Sequence, residues 1–194
     1  MEIQTYIINL PARADRRTHI LTEVGKIPFL TPTIIDGIVD GTGTCFQSQR
    51  NCIQKAKNMG LEYVLVLEDD AIFTDNCQEV LTKALSEVEK IDWDMLFLGA
   101  NLHSLAYTVS DRLCKLTGAY CAHAYIVHSR FYDTILSLPH DREMDVYYAQ
   151  LMRDNNIYIC KPMIAYQLPS HSDLQNGFRD YNEEMSANFL RYVQ

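Results

Sequence analysis

Residues 63–73, YVLVLEDDAIF, set three consecutive carboxylates, Glu68, Asp69 and Asp70, between two apolar runs. The run Tyr63–Leu67 is short and strand-like in composition, so it predicts a buried β-strand. Like charges side by side at the end of a buried segment repel one another. A fold can accept them only where that strand ends at an open edge and an opposite charge is at hand. Side chains alternate along an extended chain, so Glu68 and Asp70 share one face and Asp69 takes the other.

The segments around this strand narrow the fold further. TYIINL (5–10) reads as a buried first strand, and PARADRRTHILTEVG (11–25) as a helix with Pro11 near its start and Gly25 as its stop. PTIIDG (32–37) reads as a short second strand, followed by a glycine-bearing loop over 38–44. Thr44 and Gln47 suggest a capping box for a helix over about 45–59, ended by Gly60. Cys77, Val80, Leu81, Ala84, Leu85 and Val88 follow helical spacing, with Asn76 and Glu79 as the expected cap. WDMLFLGA (93–100), AHAYIVHS (122–129) and NIYICKP (156–162) read as strands, with short helices near 130–137 and 145–153. The segment from 179 to 194 reads as a surface helix or tail. Strands alternating with helices predict a three-layer α/β domain with a largely parallel sheet, and such sheets bind ligands beyond the carboxyl ends of their strands.

The chain has 194 residues, enough for one cored domain, so residues 1–194 are read as a single unit. A net charge of −8 argues against a broad nucleic-acid surface, so no nucleic-acid partner is expected. No apolar run approaches the ~18 residues of a transmembrane helix, and the first residues do not resemble a signal peptide. A soluble cytoplasmic protein is expected, free or peripheral to a membrane. Six cysteines without a Cys-x-x-Cys pair read as reduced, mostly buried thiols rather than a zinc site.

A hard divalent cation, Mg²⁺ or Mn²⁺, is the economical reason to bring Glu68 and Asp70 to a strand end. The bland reading is an exposed acidic turn that caps the strand. Arg13, Arg16 and Arg17 follow the first strand and suit a nucleotide phosphate or base. Asn9 ends that strand and is expected to touch the nucleotide. His123 and Tyr125 share a strand face, with His123 as a candidate sugar contact and Tyr125 as packing. Trp93 is expected in the core.

Seven stretches in order, YIINL with PARADRR, GTGTCFQSQR, YVLVLEDDAIF, WDMLFLG, AHAYIVHSR, EMDVYYAQL and PMIAYQLPSHSDLQ, resemble glycosyltransferase family 25. That family includes bacterial lipooligosaccharide and collagen galactosyltransferases. The chain departs from it at Ser48-Gln49, where members often carry Ser-His, and in the glycine spacing of loop 41–45. The resemblance implies a GT-A (Rossmann-like) three-layer sandwich with a central, mostly parallel mixed sheet. It also implies an inverting, metal-dependent transferase moving a sugar, galactose above all, from a UDP-sugar to a hydroxyl of a glycan, glycolipid or protein. Glu68 and Asp70 then stand for the metal motif, with Mn²⁺ or Mg²⁺ as cofactor and His171 as a late ligand. Asp69 falls on the donor side, Ser172 and Asp173 face the donor or the acceptor, and Asp145 is the candidate general base, against its bland role as a helix cap.

Two other readings fit parts of the pattern. Receiver-like phosphotransferases also place aspartates at strand ends, but they carry an acid pair after the first strand, where this chain has Asn9-Leu10. A degenerate fold that binds a sugar nucleotide or a partner without catalysis is the main alternative.

Overall fold

A computed structural model describes residues 2–38, 45–172 and 177–194. Along the chain run β1 (Ile3–Asn9), α1 (Ala14–Val24), β2 (Leu30–Asp36), α2 (Phe46–Asn58), β3 (Tyr63–Glu68), β4 (Ala71–Phe73), α3 (Cys77–Val88) and β5 (Met95–Phe97). There follow β6 (Asn101–Leu102), β7 (Ala106–Thr108), β8 (Leu113–Leu116), β9 (Ala119–Tyr120), β10 (Ala124–His128), α4 (Tyr132–Leu136) and α5 (Met144–Leu151). The chain closes with β11 (Ile157–Cys160), β12 (Ala165–Gln167), β13 (Ser170–Ser172), β14 (Gly177–Arg179) and α6 (Asn182–Tyr192).

Eight strands form the central sheet in the order β2-β1-β3-β10-β5-β11-β8-β7. β2, β1 and β3 are mutually parallel, and β11 is parallel to β5. β10 runs antiparallel to both β3 and β5, and β8 antiparallel to β11 and β7. With β10 and β8 running against the other strands, this is the mostly parallel mixed sheet that the resemblance implies, in the three-layer domain expected from the alternation of elements.

The alternation of side chains sorts the core into two layers. Tyr6, Ile8, Val64, Val66, Met95, Phe97, Tyr125 and Val127 face one side, where α2, α4 and α5 pack with Phe46, Ile53, Tyr132, Met144 and Tyr148. Ile3, Ile7, Leu65, Leu67, Leu96, Leu98, Ala124 and Ile126 face the other, under α1 and α3. α3 buries Cys77, Val80, Leu81, Ala84, Leu85 and Val88, the stripe its spacing predicts. Its expected cap is different in detail: Asn76 stands at the N-cap but makes no side-chain cap bond among the described residues, and instead accepts the Thr74 hydroxyl at 2.8 Å. The Thr44 half of the other expected box lies outside the described residues. α6 is more than a tail, because Met185 is fully buried and Asn101 bonds both Glu184 and Asn188.

Two features shape the carboxyl edge of the sheet. A Cβ at Gly99 would lie 1.8 Å from the Ala165 carbonyl oxygen, so only glycine lets the chain after β5 pass this close to β12. β12 in turn pairs antiparallel with β4, and Leu168 N–H donates to the Asp70 carbonyl at 2.6 Å. The turn after β3 is thereby pinned from behind.

Candidate active site at the carboxyl edge

The three carboxylates leave β3 in the two directions that alternation predicts. Glu68 continues the side of Val64 and Val66, toward α2 and α5. Its Oε1 accepts the Gln49 amide N–H at 3.0 Å, and the Cys45 thiol also hydrogen-bonds it. Asp69 turns to the α1 side, where Oδ2 accepts from Asn9 Nδ2 at 2.7 Å and Oδ1 from Arg16 Nη1 at 3.2 Å. Asp70 lies between them, with Oδ2 3.5 Å from the same Arg16 nitrogen.

The electrostatics here are unbalanced. Burial, then the Asp70 charge, pushes the Glu68 carboxyl up to about 8. Burial also raises Asp70 and Asp69, although Arg16 pulls against both. Glu68 in turn raises the Cys45 thiol. Asp70 Oδ1 is buried and has no hydrogen-bond partner among the described residues. A buried carboxylate oxygen left unpaired is costly, and the cost is relieved by a cation.

The remaining sequence candidates divide into four groups. Asn9 and Arg16 join the carboxylates: Asn9 is 2% exposed and also donates to the Arg13 carbonyl, and Arg16 is 9% exposed rather than solvated. Arg13 lies at the rim, where it ion-pairs with Asp15 at 3.0 Å. His123 is fully buried, with Nδ1 3.2 Å from the Cys121 carbonyl, and burial drives its imidazole down to about 4. Its carbonyl accepts the Glu68 N–H at 2.8 Å, so it supports the strand end through its backbone. The backbones of His171 and Ser172 belong to β13, paired with β14, and their side chains, like all of Asp173, lie outside the described residues.

Asp145 is the second residue of α5, inside its first turn, and the N-cap position is Glu143. Its Oδ2 accepts the Cys121 N–H at 3.2 Å. Cys121 has φ +70°, an uncommon conformation for a residue with a Cβ. The bond therefore ties α5 to a strained turn between β9 and β10. Both Asp145 and Glu68 act on the Cys121 thiol, which burial above all pushes up to about 12, so the two acids approach one thiol from different elements.

Sequence reasoning did not single out Gln49, Tyr148 or Gln167. Gln49 is 3% exposed and meets Glu68, while the Gln167 side chain reaches Asp70. The one signal for Gln49 was its place where family 25 often carries histidine. All six cysteines are free thiols. No described helix is long and apolar enough to cross a membrane.

Fold and site together define an α/β chain of the GT-A-like class found in nucleotide-sugar enzymes. The fold matches a UDP-glucose pyrophosphorylase crystallised with UDP-glucose, at TM-score 0.57 and 9% identity over 98% of this chain and 100% of that one. It also matches a glycosyltransferase involved in glycosylation of the major capsid of PBCV-1, at TM-score 0.53 and 10% identity over 96% and 98%. Residues 36–117, from the end of β2 through β8, match the model of glycosyltransferase family 25 (LPS biosynthesis protein). In Bos taurus, the "Probable inactive glycosyltransferase 25 family member 3" is 25% identical over 127 residues, 50% of this chain and 21% of that protein. In Mus musculus, the "Inactive glycosyltransferase 25 family member 3" is 28% identical over 108 residues, 51% of this chain and 18% of that protein. This chain thus spans about a fifth of the length of these relatives.

Proposed function

We propose that this chain is an inverting, metal-dependent glycosyltransferase that moves a sugar, galactose first among the candidates, from a UDP-sugar to an acceptor hydroxyl. The observation that carries the reading is the close carboxyl pair, Glu68 and Asp70, at the sheet edge, with Glu68 raised by burial and by Asp70 and one Asp70 oxygen buried without a described partner. Among the described residues no group of three or more His, Cys, Asp or Glu could hold a metal ion. Two carboxylates suffice for Mg²⁺ or Mn²⁺, which commonly take one or two from the protein and the rest from water and substrate phosphates. The unpartnered Asp70 oxygen and the raised Glu68 fit that demand. His171 is assigned as a further ligand from the family resemblance.

Glu68 and Asp70 would hold the cation, which when bound would supply positive charge to offset the charge that develops on the departing diphosphate. The chain's own groups do the rest. Arg16, braced between Asp69 and Asp70, keeps those carboxylates in place and adds positive charge beside the diphosphate. Asn9 fixes Asp69, and Arg13, Ser172 and Asp173 are assigned to the donor. His123 supports Glu68 from beneath. Asp145, oriented by the Cys121 N–H, takes the proton from the acceptor hydroxyl as that oxygen attacks. The acceptor, a glycan, glycolipid or protein hydroxyl, is left open by this reading.

Asp145→Asn tests the assignment. It preserves shape and leaves Glu68 and Asp70 untouched, so metal-dependent UDP-sugar binding is expected to persist. Transfer should fall by about 10²–10⁴-fold. Loss of donor binding would instead make Asp145 a ligand for metal or sugar.

A second reading, a non-catalytic binder of sugar nucleotides, has one specific support: the relatives that match half of this chain are named inactive. A donor screen with Mn²⁺, following slow release of free nucleoside diphosphate, separates the two. Tight donor binding with no release for any donor supports the binder.

A further inference from the structure

Behind Glu68 lies a buried polar chain that no step above uses. Tyr148 OH donates to Tyr125 OH at 3.3 Å, Tyr125 OH donates to Gln49 Oε1 at 3.0 Å, and Gln49 Nε2 donates to Glu68 Oε1 at 3.0 Å. Gln49 Nε2 also reaches the Ala122 carbonyl at 3.4 Å. Tyr125 and Tyr148 are fully buried, with their rings 5.2 Å apart in a T-shaped pair. Four elements meet in this chain: α2 through Gln49, β3 through Glu68, β10 through Tyr125 and α5 through Tyr148.

The circuit closes on the candidate base. Tyr148 lies three residues after Asp145 on α5, and Asp145 bonds the N–H of Cys121, the neighbour of Ala122. Gln49 is therefore the hub between the acid that faces the metal position and the helix that carries the base. Its direction matters, because a primary amide has a donor end and an acceptor end. Tyr125 has one hydroxyl proton, and by giving it to Gln49 Oε1 it forces the amide N–H toward Glu68. A reversed amide would set its carbonyl oxygen against Glu68 in the ionised form that holds a cation.

We propose that Gln49, oriented by the Tyr125 hydroxyl, is a positioning residue that holds the Glu68 carboxylate toward the cation of the donor complex. The proposal rests on the metal reading given above. Buried polar networks of this kind are costly when partly satisfied, so loss of the Tyr125 hydroxyl, which orients Gln49, should be felt at Glu68.

The test is calorimetric titration of UDP into the full chain at graded Mn²⁺, at a temperature well below melting. The variants are Tyr125→Phe, Gln49→Met and Tyr148→Phe. The Mn²⁺ concentration for half-maximal UDP binding should rise about tenfold or more in Gln49→Met. It should rise severalfold in Tyr125→Phe, and change less than twofold in Tyr148→Phe, which leaves the Tyr125 proton on Gln49. Tyr125→Phe keeps the ring and the packing, so it reports even if Gln49→Met fails to fold. Normal Mn²⁺ dependence in Tyr125→Phe, with normal binding in the wild type, overturns the positioning role alone. Absence of Mn²⁺-dependent UDP binding in the wild type removes the metal reading and this role with it.

Discussion

Two clusters of aspartate and arginine sit at opposite edges of the same sheet, and they are built differently. At the amino edge, Asp94 is saturated: Oδ1 accepts Arg130 Nε at 2.7 Å and Oδ2 accepts the Asn156 N–H at 2.8 Å. Arg130 also reaches Asp92 at 3.1 Å. Asp94 thereby bolts the start of β5 to the start of β11, and its N–H returns the favour by donating to the Asn156 carbonyl. At the carboxyl edge, Asp69 and Asp70 share the one Arg16, Glu68 stands beside them on the other face, and one Asp70 oxygen lies buried without a described partner. The same residue types make a rivet in one place and an unmet electrostatic demand in the other. What distinguishes them is whether each oxygen has its donor.

The largest contrast should appear when one aspartate is removed from each cluster. Asp94→Ala strands the Asn156 N–H and leaves Arg130 with Asp92 alone, and urea unfolding should show a loss of about 1–3 kcal/mol. Asp70→Ala removes a repelling charge next to Glu68, and the same experiment should show little loss or a gain. A larger loss at Asp70 than at Asp94 would break the comparison.

Arg16→Ala should behave in an intermediate way. Arg16 is buried against two acids, so its removal should lower stability in urea unfolding and also weaken metal-dependent UDP binding. A charge-assisted bond is worth about 1.5–3 kcal/mol, or roughly ten- to a hundredfold in Kd. Arg130→Ala should lower stability and leave UDP affinity unchanged.

The pH dependence sharpens the contrast with a smaller effect. Glu68 titrates near 8 in the folded chain and near 4.5 when free, so between these values the native state holds the extra proton. Stability from this group is therefore greatest at low pH, erodes as pH rises from about 4.5, and reaches its floor above about 8. Buried His123 acts in the opposite sense: its imidazole is held down near 4, so stability falls as pH drops below the ordinary histidine range. The melting temperature of Glu68→Gln should decline less between pH 5 and 8.5 than that of the wild type. An identical slope in the two proteins would contradict the raised carboxyl.

Much of this contrast was legible in the sequence, but unevenly. The apolar run into Glu68, Asp69 and Asp70 announced the strand end, and period-two alternation announced that Asp69 would part from its neighbours. The apolar stripe of α3 was readable because six buried residues repeat at helical spacing within one element. Strands β7 and β8 were not, because each has only three or four residues and is made a strand by partners far along the chain. The burial of Arg16 was hidden for a related reason. In ADRRTHI it looks like one more solvated charge, and only the approach of the turn after β3, more than fifty residues later, encloses it. Gln49 carries no local signal of its own, since its role comes from α2, β3 and β10 meeting. Asp94 passed unnoticed beside Trp93, whose place in the core was expected and is found.

The central claim is that the carboxyl-edge cluster holds a divalent cation together with a nucleoside diphosphate. Thermal melting with UDP in Mn²⁺, against UDP in chelator, tests it most directly, on the wild type and on Asp70→Asn. At a hundredfold excess over Kd the complex should add about 2.7 kcal/mol to the wild type. For a chain of this size that is a rise of roughly 5–10 °C. The rise should vanish in chelator and in Asp70→Asn. A rise of the same size in chelator, or in Asp70→Asn with Mn²⁺, would show that UDP binds without the cation at these carboxylates and would contradict the account.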